Sequence, residues 1–452
     1  MLQTKVITRI APSPTGYFHI GTARTALFNF LYARHVGGAF LVRIEDTDRA
    51  RSTQEFELDI LDGMKQLGLT WDGFVRQSER VTIHRTYLQS LVSANTAYIS
   101  NEPAKDDATR MVDVVRLRNP GKKVVFHDEV RGDIAFDTTE LGDFVIARSL
   151  DDPLYHFAVV VDDADAGVTH VIRGEDHISN TPRQILIQEA LGFSRPIYAH
   201  LPLILAPDRS KMSKRKGATA VRQFVADGFL PEALVNFLAL LGWNPGNDAE
   251  IFSLEELVSA FSFEGLQKSG AVFDIEKLKW LNREHRKRLS TTDLRTSLLQ
   301  SLAEHPALVQ TLAASERACD DLLERYATTR ELRQAIAAGE YSFYVSDPEI
   351  NPAQLVWKKD PTPERTAERL RHVCTLLTEL PFDAFTCDRV RQLIEPYAEA
   401  EGKGNVLWPL RYALSGKERS PDPYLLLEVL GKLPSLARLE RALTLLTTDT
   451  SV

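Results

Sequence analysis

Cysteine is scarce in this 452-residue chain, which contains Cys319, Cys374 and Cys387 and no others. None of the three belongs to a CxxC pair or to a Cys/His cluster with the spacing of zinc ligands. The sequence therefore predicts neither a disulfide framework nor a structural zinc site. Apolar runs of the ~20 residues that a membrane helix needs are missing, as is an apolar signal segment at the N-terminus. We therefore expect a cytoplasmic protein without membrane contact.

The chain also has no excess of basic residues, because it contains 54 Lys and Arg and 62 Asp and Glu, for a net charge of −8. Phosphate neutralisation by Lys and Arg dominates unspecific nucleic-acid binding, so this balance argues against a protein that grips nucleic acid indiscriminately. The sequence still leaves room for a local basic face at residues 211–216 or 283–288. Either run could equally be a solvated charged surface.

What is present is a globular composition, with 44% apolar and 26% charged residues. At roughly 100–200 residues per domain, the length predicts about three domains. Residues 6–10 are apolar and β-prone, residues 12–16 form a Pro/Gly turn, and residues 22–35 carry apolar side chains at helical spacing. A second strand follows at residues 40–44, and the order predicts the βαβ unit of a parallel sheet. A similar strand returns at residues 168–173.

The remainder of the chain changes character twice. Residues 101–148 alternate in short stretches interrupted by turns, which predicts a small β-rich insertion. From about residue 231 helical patterns predominate, and beyond residue 289 the chain is nearly all amphipathic helix. The fold class predicted is therefore α/β, followed by an all-α region.

The strongest chemical signal is PSPTGYFHIGT, residues 12–22, between a predicted strand and a predicted helix. Glycines let the backbone approach a phosphate closely, and a helix N-terminus supplies oriented N–H donors for anions. His19 then lies where a ring N–H can donate to a phosphoryl group. Alone, the segment would also fit a Pro/Gly-rich turn with a core histidine.

A second segment, KMSKRKG at residues 211–217, is rich in basic side chains. Clustered Lys and Arg on a short loop suit a phosphate that loses pyrophosphate, because charge stabilisation and positioning supply most of that catalysis. An isolated string of this kind could be a charged surface loop. Its combination with residues 12–22 favours a triphosphate site.

HIGT and KMSKR resemble the HIGH and KMSKS signatures of class I aminoacyl-tRNA synthetases. The longer strings RIAPSPTGYFHIGTARTALFNFLYAR, LVRIEDTDRAR, HFAVVVDDADAGVTHVIRGEDHISNTPRQ and NVLWPLRYALSGKERSPDPYLLLEVLGK are similar to bacterial-type glutamyl-tRNA synthetases. The resemblance spans nearly the whole chain. It implies ATP-dependent ligation of L-glutamate to tRNA(Glu) through glutamyl-adenylate, with release of AMP and diphosphate, for protein synthesis. The expected partners are tRNA(Glu), glutamate and ATP, with a monomer as the default state.

The resemblance also implies a domain order. A Rossmann-like parallel-sheet catalytic domain would comprise residues 1–100 and 149–205, and a shortened acceptor-stem-binding insertion would comprise residues 101–148. A connecting domain that contacts the RNA stem and carries the KMSKR loop would follow at residues 206–290. A helical anticodon-binding domain would end the chain at residues 291–452.

Arginines facing the substrate would select an acidic amino acid, because guanidinium pairs with carboxylate in a bidentate fork that an amide reproduces poorly. A surface ion pair is nevertheless the commoner role of any one arginine, and the sequence leaves open which arginine meets which carboxylate. The EDTD segment after the second strand could also suggest a metal site. Glu45 and Ser13 suit the α-ammonium group. By resemblance, the glutamate pocket comprises Arg9, Ile10, Ala11, Ser13, Glu45, Tyr155, His156, Val159 and Arg173.

The nucleophile needs no general base, because a carboxylate with a pKa near ~4 is already charged at neutral pH. By resemblance, His19 and Lys214 are the catalytic residues, and they would stabilise charge on phosphates whose Mg²⁺ arrives with ATP. Asp176 could hold the ribose or simply be a turn carboxylate. The implied ATP site comprises His19, Gly21, Thr22, Asp176, Ile204, Lys211, Met212, Ser213, Lys214 and Arg215.

Arg325 is the predicted anticodon reader, since arginine can pair with a base edge or stack on it, although an ordinary helix surface would also explain it. Two features depart from the family. The insertion is short and lacks the stretch that carries a Cys/His zinc knuckle in some relatives, so no zinc is expected and acceptor recognition is put in doubt. His156 replaces an asparagine common in bacterial relatives, which puts details of the glutamate pocket in doubt.

Three rival functions have different sequence signatures. A truncated paralogue that glutamylates a modified nucleoside would lack the C-terminal region. A glutaminyl enzyme would carry downstream β-barrels. A noncatalytic RNA-binding protein on the same scaffold would not need His19 and Lys214.

Overall fold

The computed structural model describes residues 5–104, 109–212, 220–360 and 362–448. The chain divides into two compact units, Met1–His285 and Arg286–Val452. The described part of the first unit mixes strands and helices, and that of the second is helical. The predicted α/β fold class with a following all-α region is confirmed.

The strands of the first unit begin near the N-terminus and end before its last helix. They are β1 (Ile7–Ile10), β2 (Ala39–Ile44), β3 (Gly73–Arg76), β4 (Ala97–Pro103), β5 (Met111–Leu117), β6 (Lys123–Asp128), β7 (Gly132–Asp137), β8 (Phe144–Ser149), β9 (Asp152–Pro153), β10 (His170–Gly174), β11 (Ile197–Leu201), β12 (Ile204–Leu205) and β13 (Ala271–Val272).

The helices of the first unit alternate with these strands and then follow them. They are α1 (Ile20–His35), α2 (Gln54–Gln66), α3 (Val81–Ser93), α4 (Tyr155–Asp165), α5 (Thr181–Leu191), α6 (Val221–Asp227), α7 (Pro231–Leu240), α8 (Leu254–Ala260) and α9 (Ile275–Arg286).

Parallel pairing organises the two halves of the first unit. Strands β1, β2 and β3 pair in that order, and β10 pairs with β11, all in parallel. The halves meet where Ile7 and Thr169 exchange hydrogen bonds, since Ile7 N donates to Thr169 Oγ1 at 2.9 Å and Thr169 N donates to Ile7 O at 3.0 Å. Their carboxyl ends therefore open at one edge, where ligands bind in parallel α/β sheets.

The predicted insertion divides between two sheets. Strands β4, β5, β8 and β9 form an antiparallel sheet of their own. The hairpin of β6 and β7 instead extends the parallel half, because β6 pairs with β11 at Tyr198 and Asp128. Asp128, the last residue of β6, is thereby brought beside Tyr198 and His200 of β11.

Helix α1 is buried on nearly every face. Ala23, Leu27, Phe28 and Leu31 are at most 1% exposed, because the sheet covers one side of the helix and α7 and α8 cover another. Each such Leu or Phe contributes roughly 1.5–3 kcal/mol by leaving water. This packing fixes the N-terminus of α1, which begins directly after His19.

The second unit is a helical assembly around one apolar core. Its helices pack through buried leucines such as Leu322, Leu370 and Leu410. No helix among the described residues of either unit combines the length and apolarity that a membrane crossing needs. The helices are α10 (Thr291–Ser301), α11 (Pro306–Ala313), α12 (Glu316–Arg325), α13 (Thr329–Ala337), α14 (Pro352–Leu355), α15 (Pro363–Glu379), α16 (Cys387–Glu401), α17 (Lys403–Ser415), α18 (Pro423–Leu430) and α19 (Lys432–Thr448).

Candidate active site

A cavity of about 630 Å³ lies in the first unit, at the carboxyl ends of β1, β2 and β10. Most of the residues that the sequence assigned to ATP and glutamate line this one space. They are Arg9, Ile10, Ala11, Ser13, His19, Gly21, Thr22, Glu45, Tyr155, Arg173, Asp176, Ile204, Lys211 and Met212.

Other predicted site residues lie elsewhere. His156 and Val159 are on α4 but are not part of the cavity lining. Tyr155, the first residue of α4, faces the cavity, and the helical turn directs its immediate neighbour to a different face. Ser213, Lys214 and Arg215 lie outside the described residues.

The HIGT turn forms the N-terminus of α1. His19 is the N-cap, and its ring accepts from Thr22 N at 3.3 Å and lies 3.0 Å from Thr22 Oγ1. A Cβ at position 21 would lie 3.1 Å from the His19 ring, so Gly21 leaves space for the imidazole over the helix start. The exposed His19 and the N–H groups of the first turn thus face the cavity together, as an anion site requires.

The described residues on both sides of the lysine-rich segment adjoin this cavity or the HIGT turn. Met212 N donates to Ile204 O at 3.2 Å at one end. At the other end, Ala220 forms an isolated antiparallel β-bridge with His19. The next residue, Val221, donates its backbone N–H to Phe18 O at 2.8 Å. The two motifs, distant in sequence, therefore adjoin the same cavity.

Asp176 and Lys211, both predicted to bind ATP, form an exposed pair at the cavity. Lys211 Nζ lies 3.7 Å from Asp176 Oδ2. A Cβ at position 174 would lie 2.5 Å from Asp176 Oδ1, so Gly174 permits the carboxylate to turn back over the end of β10. In high dielectric such a pair contributes at most ~1 kcal/mol, so it can open readily for a ligand.

Four buried charged residues form a balanced cluster beneath the opposite side of the cavity. Arg9 Nε and Nη2 donate to the two oxygens of Asp163 at 3.0 and 3.2 Å. Arg43 donates to Asp163 Oδ1 at 2.5 Å and to Glu45 Oε1 at 3.1 Å. Burial alone would raise the pKa of Asp163, but Arg43 and Arg9 hold this pKa below its ordinary value. Burial raises the pKa of Glu45, against the opposing effect of Arg43.

Sequence reasoning missed Asp163, which neutralises two arginines of this cluster. The available signal was a pair of acidic residues, Asp162 and Asp163, within the otherwise apolar helix α4. Charged side chains are rarely buried unless paired, so their burial on an apolar helix indicated partners elsewhere in the chain. The sequence could not identify those partners.

Arg173 differs from Arg9 because no carboxylate of the described residues forms an ion pair with it. Its Nε donates to His200 Nε2 at 3.1 Å, Nη1 to Gln184 Oε1 at 2.7 Å and Nη2 to Thr181 Oγ1 at 2.7 Å. Burial lowers the pKa of this guanidinium, which is 6% exposed and lines the cavity. Arg173 is therefore a buried positive charge available to an anionic ligand.

Neutral groups complete this side of the cavity. Tyr155 Oη lies 3.1 Å from His177 Nδ1. Burial, followed by Glu45, raises the pKa of Tyr155 to about 12, and burial lowers the pKa of His177 to about 4. Both are uncharged at neutral pH. His177 was missed by sequence reasoning, and burial likewise lowers the pKa of His156 to about 4.

The second unit carries a separate aromatic and cationic cluster. Arg325, at the end of α12, forms an ion pair with Asp321 at 2.6 Å. The Arg411 guanidinium lies 5.1 Å from the ring centre of Trp408, which in turn lies 5.2 Å from Trp357. Burial, followed by the charge of Arg325, lowers the pKa of Arg411. Aromatic faces beside arginines are suited to stacking on unpaired bases.

Two known protein families match this chain, one over the first unit and one over the second. A family model described as "tRNA synthetases class I (E and Q), catalytic domain" matches residues 5–111 and 101–280. A model described as "Anticodon binding domain" matches residues 284–443. Parallel sheet, cavity and matches together define a class I aminoacyl-tRNA synthetase.

Relatives narrow the class. A glutamate–tRNA ligase of Nitratidesulfovibrio vulgaris is 41% identical over 482 residues, covering 98% of this chain and 100% of that protein. One of Desulforamulus reducens is 40% identical over 484 residues, covering 96% and 99%. The crystal structure of a glutamate tRNA ligase from Elizabethkingia meningosepticum has a TM-score of 0.82 at 28% identity, covering 98% of this chain and 99% of that one. The chain belongs to the glutamate–tRNA ligase family.

These findings also decide among the rival functions. A truncated paralogue would lack the helical second unit, which is present and is matched as an anticodon-binding domain. The β-barrels expected of a glutaminyl enzyme do not occur among the described residues of that unit, which are helical.

Proposed function

We propose that this enzyme activates L-glutamate with ATP and esterifies it to tRNA(Glu), releasing AMP and diphosphate. The observation that carries the proposal is the buried Arg173, a cation with neutral partners at the cavity wall. The neighbouring cluster of Arg9, Arg43, Asp163 and Glu45 balances its own charges. Arg24 also lines the cavity without an ion pair, but it donates to the backbone carbonyls of Leu241 and Pro202. Arg173 is therefore the cavity arginine that we assign to a substrate carboxylate, which suits glutamate and not neutral glutamine.

Glutamate binding follows from these charges. Arg173 takes one carboxylate in a charge-assisted fork, and Arg9, on the neighbouring strand β1, helps to hold the other. Glu45 and Ser13 accept the α-ammonium group. Tyr155 donates its phenolic hydrogen to a carboxylate oxygen, because its raised pKa keeps it protonated.

ATP binds across the start of α1. The first-turn N–H groups and His19 face its phosphates, and Asp176 faces its ribose. Lys211 and Met212 border the cavity, and Lys214 follows Met212 by two residues in sequence. We therefore assign Ser213, Lys214 and Arg215 to the leaving diphosphate.

Two displacements complete the reaction. An oxygen of the α-carboxylate attacks the α-phosphorus of ATP, the P–O bond of glutamyl-adenylate forms, and the bond to diphosphate breaks. The terminal adenosine hydroxyl of the RNA then attacks the activated carbonyl carbon and the ester C–O bond forms. AMP leaves with the bonding electron pair, and the hydroxyl proton is released. Positioning is the main protein contribution to this second step.

Mg²⁺ would enter with ATP. Among the described lining residues the carboxylates are Glu45 and Asp176, and Glu45 already binds Arg43. The triphosphate oxygens would therefore supply most of the ligands, and the ion would neutralise phosphate charge. Zinc has no assigned role.

The second unit would read the anticodon through Arg325, with Trp408 and Arg411 as a stacking surface. Their cluster offers the planar faces and cations that single-stranded bases need. We further propose that the enzyme acts in the cytoplasm as a monomer.

Aminoacylation tests the proposal directly. Glutamate, glutamine and aspartate are each offered with transcripts of the three cognate transfer RNAs, and acid-precipitable charging is measured. Glutamate should be esterified to tRNA(Glu), and glutamine and aspartate should be rejected. Charging with glutamine at a comparable kcat/KM would contradict the charge argument, and charging of tRNA(Gln) by glutamate would define a broader RNA range.

A further inference from the structure

An aspartate and a histidine pair in complete burial behind Arg173. Asp128 ends β6 and His200 lies in β11, and neither side chain is exposed to solvent. His200 Nδ1 lies 2.6 Å from Asp128 Oδ2. Asp128, which belongs to the predicted insertion, is thus separated from Arg173 by one side chain, that of His200.

The hydrogen bonds allow one tautomer of His200. Arg173 Nε lies 3.1 Å from His200 Nε2, and an arginine nitrogen can only donate. His200 Nε2 must therefore accept, which places the ring proton on Nδ1. Asp128, as a carboxylate, accepts that proton's hydrogen bond. Burial lowers the pKa of His200 against the opposing effect of Asp128, and a neutral ring agrees with this assignment.

The orientation of Arg173 depends on this acceptor. Three of its five N–H bonds donate to His200, Gln184 and Thr181. The remaining two N–H bonds belong to Nη1 and Nη2, the two nitrogens that can bind a carboxylate end-on in a fork. Without the acceptor at Nε, the guanidinium is held by Gln184 and Thr181 alone, and the direction of the fork is fixed less firmly.

We propose that Asp128 and His200 are positioning residues for glutamate, because Asp128 fixes the His200 tautomer that holds the Arg173 fork toward the cavity. This proposal rests on the assignment of Arg173 to a substrate carboxylate. It gives the β6–β7 hairpin a part in amino-acid binding.

Asparagine at position 128 is the diagnostic change. Asp128 Oδ1 accepts from the backbone N–H groups of Val130 at 3.0 Å and Arg131 at 2.9 Å, so an amide oxygen should keep that place. The amide NH₂ then faces His200 Nδ1 and donates to it, and the amide oxygen, at the place of Oδ1, remains the acceptor for the backbone N–H of His200, which lies 3.3 Å from Oδ1. The ring proton moves to Nε2, where it can donate to Thr181 Oγ1 at 3.2 Å. His200 Nε2 then no longer accepts from Arg173, and the Nε–H of Arg173 loses its acceptor.

The experiment measures kcat and the KM values for glutamate and ATP in aminoacylation by the full-length enzyme. For Asp128→Asn we expect the glutamate KM to rise about 10- to 100-fold, the range for losing a hydrogen bond to a charged group, and the ATP KM to stay within about 2-fold. An unchanged glutamate KM, or an equal rise in both KM values, would overturn the proposal.

A double-mutant cycle separates tautomer control from a structural role. Glutamine at position 200 offers a carbonyl oxygen near the place of Nε2, so His200→Gln should keep the glutamate KM within about 3-fold, and His200→Ala should raise it about 10-fold. In the His200→Gln background, Asp128→Asn should add less than about 3-fold. An Asp128→Asn effect of the same size in both backgrounds, or equal effects of Gln and Ala, would contradict tautomer control.

The same hairpin supplies a matched control. His127 Nδ1 lies 2.7 Å from Asp133 Oδ1, but these side chains are 64% and 82% exposed. Asp133→Asn should leave both KM values unchanged. Arg173→Lys separates the proposed glutamate-binding role of Arg173 from the proposed positioning role of Asp128 and His200. If Arg173→Lys leaves the glutamate KM unchanged, the assignment of Arg173 fails. If it raises that KM and Asp128→Asn does not, the positioning proposal alone fails.

Discussion

Replacement of Arg173 by methionine tests the central electrostatic claim about the cavity. Methionine retains much of the side-chain length but supplies no donor, so an incoming carboxylate would be desolvated without a partner. Truncating one member of a buried hydrogen-bonded charge pair costs about 2–5 kcal/mol. We therefore expect glutamate to bind at least ~30-fold more weakly, since 2 kcal/mol corresponds to a factor of roughly 30.

Ligand-dependent stability gives an assay that does not require turnover. Glutamate at 100 times its wild-type Kd should stabilise the native enzyme by about 2.7 kcal/mol. If the affinity falls ~100-fold, the same concentration equals one Kd and the stabilisation falls to about 0.4 kcal/mol. Thermal unfolding with and without glutamate, in the presence of a nonhydrolysable ATP analogue, measures this difference.

An exposed arginine of the same unit provides the control for Arg173→Met. Arg148 pairs with Asp152 at 3.0 Å and is 70% exposed, so Arg148→Met should keep the full glutamate-induced shift. An Arg173→Met enzyme that is stabilised by glutamate as strongly as the wild type would refute the reasoning. Arg9 would then be the principal carboxylate ligand.

Three further outcomes are expected. His19→Ala or Lys214→Ala should reduce glutamate-dependent AMP formation by at least ~10² and leave RNA binding, measured by filter retention, nearly unchanged; equal activity would refute their roles. Asp163→Asn should destabilise the first unit by about 3–5 kcal/mol in urea unfolding at pH 7, because two buried arginines lose their anion. The arginines lower the pKa of Asp163, so its contribution to the free energy of unfolding is present above the unfolded-state pKa and is lost as the pH falls through the folded-state pKa. The stabilities of wild type and variant should therefore converge in acid. A stability difference that does not change with pH would contradict this. Arg325→Ala should raise the KM for tRNA(Glu) at least ~5-fold with the glutamate KM unchanged, and an unchanged RNA KM would remove Arg325 from the anticodon site.

Local pattern was enough to predict the elements that carry the two motifs. The predicted strand at residues 6–10 and helix at residues 22–35 correspond to β1 and α1, with boundaries shifted by one or two residues. These predictions succeed because turn residues and apolar periodicity act over a few neighbours. Helix α1 begins earlier than expected because His19 itself provides the cap.

Such local patterns could not predict which side chains pair when they are far apart in the sequence. The sequence offered Arg9 and Arg173 as equivalent candidates, yet Arg9 is paired with Asp163, 154 residues away, and Arg173 is not paired with a described carboxylate. The register of β6 against β11, which places Asp128 beside His200, likewise depends on a pairing across 72 residues. His156 and Val159 occupy positions that the resemblance assigned to the glutamate pocket, but neither lines the cavity.

The sequence by itself predicted the class of chemistry, because a glycine-bearing turn before a helix and a lysine-rich segment in combination favour a triphosphate site, and both are readable from adjacent residues. It also determined the division into an α/β part and a helical part, since apolar periodicity is a local property. Only the tertiary structure decided which buried charges cancel and which remains for a ligand. That outcome depends on distances between side chains far apart in the chain, and Coulomb and hydrogen-bond energies in a buried site change steeply with those distances.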